Sequence, residues 1–204
     1  MGVAERRARE KDDLKKKILN AAAELFVEEG FENVSMRKIA DRIEYAPSTI
    51  YLHFRDKVDL VGSLCTTTFA ELDQRLQEIQ DLGLAPLETL RKSLRAYIDF
   101  GLEHPSHYAF VFCTPSSVFK AMAPEGQEQL WGCGMGSFER LRVGMGLCMD
   151  TGAIRRADVE TVSQATWLMM HGITTGLIFE ADFPFIDRET LIEHSLDRML
   201  DSLR

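Results

Sequence analysis

Six prolines divide the 204-residue chain into segments, and this division limits the fold more than any other feature of the sequence. Proline is tolerated in the first turn of a helix or beyond its end, but not in the middle. Between the prolines, apolar residues recur at helical spacing, whereas the alternation typical of strands is absent over any useful length. With 45% apolar residues, the chain can build a sizeable core. The sequence therefore predicts an all-α protein.

Several classes of protein are disfavoured at this point. The first residues contain no apolar leader stretch, and the longest run without a charged side chain, residues 161–179, contains Ser163, Gln164 and His171. Such a run is poor material for a lipid-facing helix. The four cysteines are widely spaced and form no CxxC pair, so we expect reduced thiols rather than a zinc site. We expect a cytoplasmic protein with no metal, no cofactor and no membrane partner.

The net charge of −8 is unevenly distributed along the chain. Residues 1–60 contain 12 basic and 12 acidic side chains, whereas residues 61–204 contain 12 basic and 20 acidic ones. The excess of acid therefore belongs to the C-terminal part. The N-terminal part is neutral overall, and its basic side chains remain available to approach an anion such as DNA.

Two short helices joined by a three-residue turn are predicted between Ser35 and Phe54. Ser35 caps the first of them, Met36–Ile43, and Pro47 begins the second, which runs through Phe54. Glu44, Tyr45 and Ala46 form the turn. This is a helix-turn-helix arrangement, in which the second helix enters a major groove about 12 Å wide. The facing apolar residues would be Ile39, Ala40, Ile43, Ile50 and Phe54.

The residues of this segment resemble a known family. Ile39-Ala40-x-x-Ile43, followed by Pro47-Ser48-Thr49-Ile50-Tyr51-x-His53-Phe54-x-x-Lys57-x-x-Leu60, is similar to the N-terminal domain of the TetR family of bacterial transcriptional regulators. The resemblance covers about Leu14–Leu64. It implies a three-helix helix-turn-helix DNA-binding domain, residues 1–56, followed by a helical ligand-binding and dimerisation domain, residues 57–204.

The resemblance also implies which residues meet double-stranded operator DNA. Pro47, Ser48 and Thr49 would lie near base edges or phosphates, and the start of the first short helix and Lys57 would bind phosphate. The full set is Ser35, Met36, Arg37, Pro47, Ser48, Thr49, Tyr51, Leu52, His53 and Lys57. The alternative for Tyr51 is a packing role, that for Thr49 is stabilisation of the helix start, and that for His53 is an ordinary surface position.

Two residues depart from the commonest pattern of the family. Glu44 stands where glycine is frequent in the turn, and Ala46 stands where a serine cap is frequent. Glutamate adopts a left-handed turn conformation only at some energetic cost. Proline at position 47 partly compensates for the missing cap, because its ring fixes φ.

The C-terminal part contains a second, weaker resemblance. Trp167-x-x-x-His171-Gly172 is similar to the signature of the WHG-type C-terminal domain of the same family. Aromatic and methionine side chains there would line a pocket for an apolar or aromatic effector of unknown identity; the alternative is an ordinary core. The candidates are Tyr97, Phe100, Tyr108, Phe112, Trp131, Met135, Phe138, Trp167 and His171. Because glycine weakens helices, we hypothesise that the glycine-rich segment Gly132–Met149 reshapes around the ligand.

The last two helices are candidates for a homodimer interface. Ile192, Leu196, Met199 and Leu203 form an apolar seam at i, i+4, i+7 and i+11. Gly172 and Gly176 lie one turn apart on the preceding helix and would allow another helix to approach closely. The alternative is packing within one chain.

These features together predict a dimeric transcriptional repressor that a small molecule releases from a palindromic operator. A DNA-binding activator or architectural protein without small-molecule control is the first alternative. An all-α enzyme is the second, and it is disfavoured because the sequence contains no GxSxG, P-loop, GxGxxG or HExxH motif.

Overall fold

The computed structural model describes residues 2–114, 119–120 and 124–204, and it confirms an all-α protein, with no strand in those ranges. None of the helices in the described ranges is long and apolar enough to cross a membrane. The elements are α1 (Val3–Glu29), the 3₁₀ helix η1 (Phe31–Asn33), α2 (Met36–Arg42), α3 (Pro47–Tyr51), α4 (Lys57–Gln80), α5 (Pro86–Glu103), α6 (Pro105–Cys113), α7 (Pro124–Asp150), α8 (Val159–Phe179) and α9 (Arg188–Leu203).

The described residues form two compact units. The first unit comprises those within Met1–Thr68 and Ser106–Leu130, and the second comprises those within Phe69–Pro105 and Trp131–Arg204. Helix α6 therefore belongs with α1–α3 in spite of its distance along the chain, and α4 and α7 contribute to both units. The domain boundary after residue 56, taken from the sequence, stays a prediction.

The core of the first unit forms around α1. Ile18 and Leu25 of α1 are buried together with residues of α2, α3 and the start of α4. The five facing residues predicted from the helix-turn-helix pattern are all buried: Ile39, Ala40, Ile43, Ile50 and Phe54. Phe110 of α6 joins this core, with its ring centroid 4.8 Å from that of Phe26.

In the second unit, α5 packs against α8 and α9. Arg91 and Arg95 of α5 form ion pairs with Glu189, Glu193 and Asp197 on α9. The C-terminal end of α9 is held by Arg155, whose backbone N–H donates to the carbonyl oxygen of Leu203 at 2.8 Å. These contacts fix the side of α9 that faces α5.

The helix limits differ from the predicted ones at two functionally important places. The apolar stripe that starts at Leu14 predicts a first helix from about Asp12, whereas α1 begins at Val3, where the side chain of Glu5 accepts a hydrogen bond from the N–H of Gly2 at 2.8 Å. Helix α3 ends at Tyr51 rather than at Phe54, because the N–H groups of Leu52 and His53 donate to carbonyl oxygens only three residues back. A helix predicted over residues 117–122 falls mostly outside the described residues.

Candidate nucleic-acid interface

The turn between α2 and α3 places α3 against the core of the first unit. Glu44 has φ of +62°, the left-handed conformation in which glycine is favoured. The N–H of Tyr45 donates to the carbonyl oxygen of Ala40 at 3.0 Å, which closes the end of α2. Pro47 follows in the first turn of α3, and the N–H of Thr49 donates to the carbonyl oxygen of Ala46 at 2.9 Å. The tight turn therefore forms without glycine, at the energetic cost expected for glutamate.

Helix α3 and the turn that follows it expose two large side chains. Tyr51 is 55% exposed and Leu52 is 79% exposed, whereas Ile50 and Phe54 are buried beneath them. Ser48 is also exposed, and Pro47, Thr49 and His53 are half-buried. An apolar side chain as exposed as Leu52 gains nothing from packing in the free protein, so this surface is suited to contact with a partner.

The start of α2 presents a smaller set of groups than the sequence predicts. Ser35 caps the helix, and its hydroxyl oxygen accepts a hydrogen bond from the N–H of Lys38 at 3.2 Å. The side chain of Arg37 is 82% exposed. Met36 is buried in the core, so its side chain is not available to DNA and only its backbone amide remains as a candidate contact.

Lys57, predicted to bind phosphate, is already engaged within its own chain. Its ammonium group donates to the carbonyl oxygens of Phe31 at 2.8 Å and Val34 at 2.9 Å, within its own chain. Arg55, only two residues earlier, has a side chain that is 85% exposed, with 3.7 Å between its Nε and a carboxylate oxygen of Asp59. Arg55 lies outside the predicted contact set, and its position directly after the helix is the sequence signal that makes it a further candidate.

The N-terminal part of α1 adds positive charge beside the helix-turn-helix. Burial lowers the pKa of His53, and the nearby ammonium groups of Lys11 and Lys15 lower it further. His53 is therefore predominantly neutral at pH 7, and one of its ring nitrogens carries a proton that can be donated. Other basic residues of this region are paired within the chain, since Lys38 and Arg42 form ion pairs with Glu29 and Glu28 of α1.

The predicted effector residues fall in both compact units. Tyr108 and Phe112 stack in the first unit with ring centroids 4.7 Å apart, and Trp167 and His171 stack in the second at 5.5 Å. Burial lowers the pKa of His171. Of the remaining candidates, Tyr97 and Phe100 are buried, Phe138 is half-buried, and Trp131 and Met135 are exposed.

The apolar seam predicted on α9 faces inward. Ile192, Leu196 and Met199 are buried within the second unit, and Leu203 is half-buried. For Ile192 and Leu196 this corrects the interpretation of the seam as a dimer interface, because their apolar surface is already covered within one chain. Met199 is buried too, but it also lines a groove between α8 and α9.

The open surface lies instead in a groove between α8 and α9. A Cβ atom added at Gly172 or Gly176, which belong to the predicted interface, would meet nothing within 4 Å among the residues the structure describes. The groove is lined by Met169, Gly172, Ile173, Gly176, Leu177, Phe185, Leu191, His194, Ser195, Arg198, Met199 and Ser202. Phe183 and Ile186 next to this groove are exposed as well. The segment from Met169 to Leu177, which contains no acidic residue, lysine or arginine, is the sequence signal for this face.

Comparison with known proteins defines the class. Residues 18–64 match the model described as bacterial regulatory proteins, tetR family, and residues 90–203 match the tetracyclin repressor-like C-terminal domain. The chain belongs to the TetR family of DNA-binding transcriptional regulators.

Named relatives agree with this assignment. The chain is 26% identical over 181 residues to the uncharacterised transcriptional regulator YhgD of Bacillus subtilis, covering 88% of this chain and 91% of that one. Shorter matches include the repressor KstR of Mycobacterium tuberculosis, 33% identical over 37% of this chain and 34% of KstR. The activator FasR of Mycolicibacterium smegmatis is 28% identical over 50% of this chain and 47% of FasR.

Solved structures share the fold across nearly the whole chain. PfmR from Thermus thermophilus has a TM-score of 0.76 and 24% identity, covering 92% of this chain and 98% of that one. FadR from Bacillus subtilis, in complex with stearoyl-CoA, has a TM-score of 0.75 and 19% identity, covering 93% and 99%. AibR, in complex with isovaleryl coenzyme A and operator DNA, has a TM-score of 0.74 and 20% identity, covering 93% and 97%.

Proposed function

We propose that this protein is a homodimeric repressor that binds a palindromic operator and is released from it by an acyl-coenzyme A. The main support for DNA binding is the surface formed by α3 and the turn after it, where Tyr51 and Leu52 are exposed above the buried Ile50 and Phe54. A short helix held on a core and presenting its outer face is the arrangement that reads a major groove. Arg37 and Arg55 add exposed positive charge on both sides of that helix in sequence.

The groove between α8 and α9 supports the dimer. One short recognition helix gives little affinity, whereas a two-fold dimer doubles the contacts and reads two half-sites of a palindrome. Small residues in the groove, Gly172 and Gly176, leave room for a helix of a second chain. The apolar residues Met169, Ile173 and Leu177 would be covered by it.

Two features support an acyl-coenzyme A as the effector. Two structural neighbours were solved with acyl-CoA molecules bound. In the second unit, the hydroxyl oxygens of Ser163 and Thr166 are buried without a hydrogen-bond partner among the described residues. A buried hydroxyl without a partner is costly, and a ligand carbonyl oxygen entering this region would accept its hydrogen bond.

The proposed release follows from linkage. Operator DNA stabilises one conformation of the dimer and the effector stabilises another, so each ligand weakens the binding of the other by the same factor. Helix α4 is the element suited to transmit the change, because it runs from the first unit into the second.

The test starts from DNA selected out of a random duplex library by the purified full-length protein. We expect a palindromic sequence to be enriched, and its affinity to fall about 5- to 100-fold with isovaleryl-CoA or stearoyl-CoA but not with free coenzyme A. Thr166→Val should reduce this response, whereas Thr151→Val, a change at an exposed threonine directly after α7, should leave it intact.

Each part of the proposal has its own contradicting result. Failure to enrich any duplex would contradict DNA binding by the mechanism proposed. If a duplex is enriched but no acyl-CoA changes the affinity of the protein for it, the result would favour a regulator without this effector. Transcription of a reporter carrying the selected site then separates a repressor from an activator, since the named relatives include both.

A further inference from the structure

Lys57 is the first residue of α4, and its ammonium group is engaged within the first unit. It donates two hydrogen bonds, to the carbonyl oxygen of Phe31 at 2.8 Å and to that of Val34 at 2.9 Å. The same nitrogen lies 4.1 Å from the centroid of the Phe31 ring, a cation–π distance. Two of its three N–H donors and its cation–π contact are thus directed at one short segment of the chain.

That segment is the connection between α1 and α2. Gly30 ends α1 with φ of +82°, residues Phe31–Asn33 form η1, and Val34 precedes the serine that caps α2. Because Val34 precedes the residue that caps α2, its carbonyl oxygen lies outside the hydrogen-bonded turns of that helix. Lys57 therefore ties the start of α4 to the backbone directly ahead of α2, the helix that supports α3.

The local electrostatics favour this arrangement over an approach to phosphate. A cation at a helix N-terminus is opposed by the positive end of the helix dipole, so Lys57 needs compensating acceptors nearby. The two carbonyl oxygens and the face of the Phe31 ring supply them. The third N–H of Lys57 could still meet a phosphate. A second hydrogen bond to that phosphate would require breaking one of these charge-assisted contacts.

We infer that Lys57 is a positioning residue for DNA binding, which fixes the α1–α2 connection, and that the exposed guanidinium groups of Arg37 and Arg55 are the phosphate contacts of this surface. The inference rests on the proposed function, since it concerns how the same surface meets DNA. The side chains of both arginines are more than four-fifths exposed, and the ion pair that each forms within the described part of the chain is long, at 4.0 Å from Arg37 to Asp41 and 3.7 Å from Arg55 to Asp59.

The first experiment uses the wild-type protein and amine-selective labelling of its lysines, read out by mass spectrometry. Lys57 should react at least about tenfold more slowly than the exposed Lys16 in the free protein, because two donors of Lys57 are engaged. Adding the selected duplex should change the Lys57 rate less than about twofold, since no new partner is gained. Rapid labelling in the free protein, followed by protection on adding DNA, would overturn the inference.

The second experiment separates positioning from phosphate contact by the salt dependence of binding. Loss of one phosphate contact lowers the slope of log K against log salt by about 0.9. Lys57→Met should weaken binding about tenfold at every salt concentration, with the slope unchanged. Because each substitution removes one contact from each subunit of the proposed dimer, Arg55→Gln and Arg37→Gln should each lower the magnitude of the slope by about 1.8. A lower slope for Lys57→Met, or an unchanged slope for both arginine variants, would contradict the assignment.

The two experiments also separate this inference from the proposed function. If the wild-type protein selects no duplex, DNA binding as proposed fails, while labelling of the free protein still reports whether Lys57 is engaged. If Lys57→Met does not fold, the labelling of the wild type decides the question without it. A folded Lys57→Met variant should also show faster hydrogen exchange at the amides of residues 35–38 than the wild type.

Discussion

Helices α3 and α8 both expose large apolar side chains, but their surroundings differ. Next to Tyr51 of α3 and Leu52 directly after it lie serine, threonine and, in the flanking segments, exposed arginines. Next to Leu168 and Met169 of α8 lie the glycines of an apolar groove. Exposure alone therefore does not identify a binding surface, whereas the neighbouring residue types indicate which kind of partner a surface fits. Charge around α3 fits a polyanion, and small residues on α8 fit a second helix.

The largest effect is expected from filling the groove. Gly176→Leu places a branched side chain where the single chain has open space, so it should block a second chain without a clash inside the first. Leucine also favours the helix by about 0.8 kcal/mol over glycine, so the monomer should stay folded. We expect sedimentation velocity to show monomers, and the affinity for the selected duplex to fall more than about 100-fold because one half-site is lost.

Gly136→Leu on α7 is the matched control. A Cβ there likewise meets nothing within 4 Å in the described part of the chain, yet Gly136 lies outside the groove. This variant should remain dimeric. If Gly176→Leu remained dimeric and bound the selected duplex with unchanged affinity, the α8 surface would have no role in assembly.

A smaller effect is expected from the α3 surface. Tyr51→Ala removes the exposed ring next to the recognition face and should weaken binding to the selected duplex about 10- to 100-fold, the range of one good side-chain contact to DNA. Electrophoretic mobility or fluorescence anisotropy measures this, and sedimentation should still show dimers.

Leu82→Ala serves as the control for removing an exposed apolar side chain, since Leu82 is 61% exposed after the end of α4. It should leave DNA affinity unchanged. If Tyr51→Ala behaved like Leu82→Ala, the ring of Tyr51 would have the packing role that the sequence left open as its alternative.

The sequence was most informative where contacts are local. The pattern from Ile39 to Phe54 predicts the buried side of the helix-turn-helix, because the brace and the recognition helix are separated by only a few residues. Glu44 is another example. The family pattern of the turn requires a left-handed residue at this position, and the structure shows φ of +62° there.

Contacts between distant segments could not be predicted in the same way. The spacing of Ile192, Leu196 and Met199 shows that α9 has an apolar face, but the pattern is identical whether the cover is α5 or a second chain. Lys57 illustrates the same limit at the level of one side chain, since its partners are carbonyl oxygens 23 and 26 residues earlier. Phe110 joins the first unit through a contact with Phe26 that no local pattern encodes.

The smallest effect is expected at the turn between the two helices, at Glu44→Gly. Glycine adopts a φ of +62° without the steric cost that glutamate carries there. We expect the variant to be more stable by about 1 kcal/mol, which for a chain of this size raises Tm by about 2–4 °C. Calorimetry measures this, with Asp41→Gly in α2 as a control that should lower Tm instead, because glycine weakens a regular helix.

Glu44→Gly tests the turn alone, because it alters neither the exposed surface of α3 nor that of α8. The position of α3 depends on the bonds that close the turn, from Tyr45 to Ala40 and from Thr49 to Ala46, and these do not involve the side chain of Glu44. Operator affinity should therefore stay within about twofold of the wild type and the protein should remain dimeric, so that the gain appears in stability alone. A lower Tm would show that the carboxylate of Glu44 stabilises the turn by more than its backbone conformation costs.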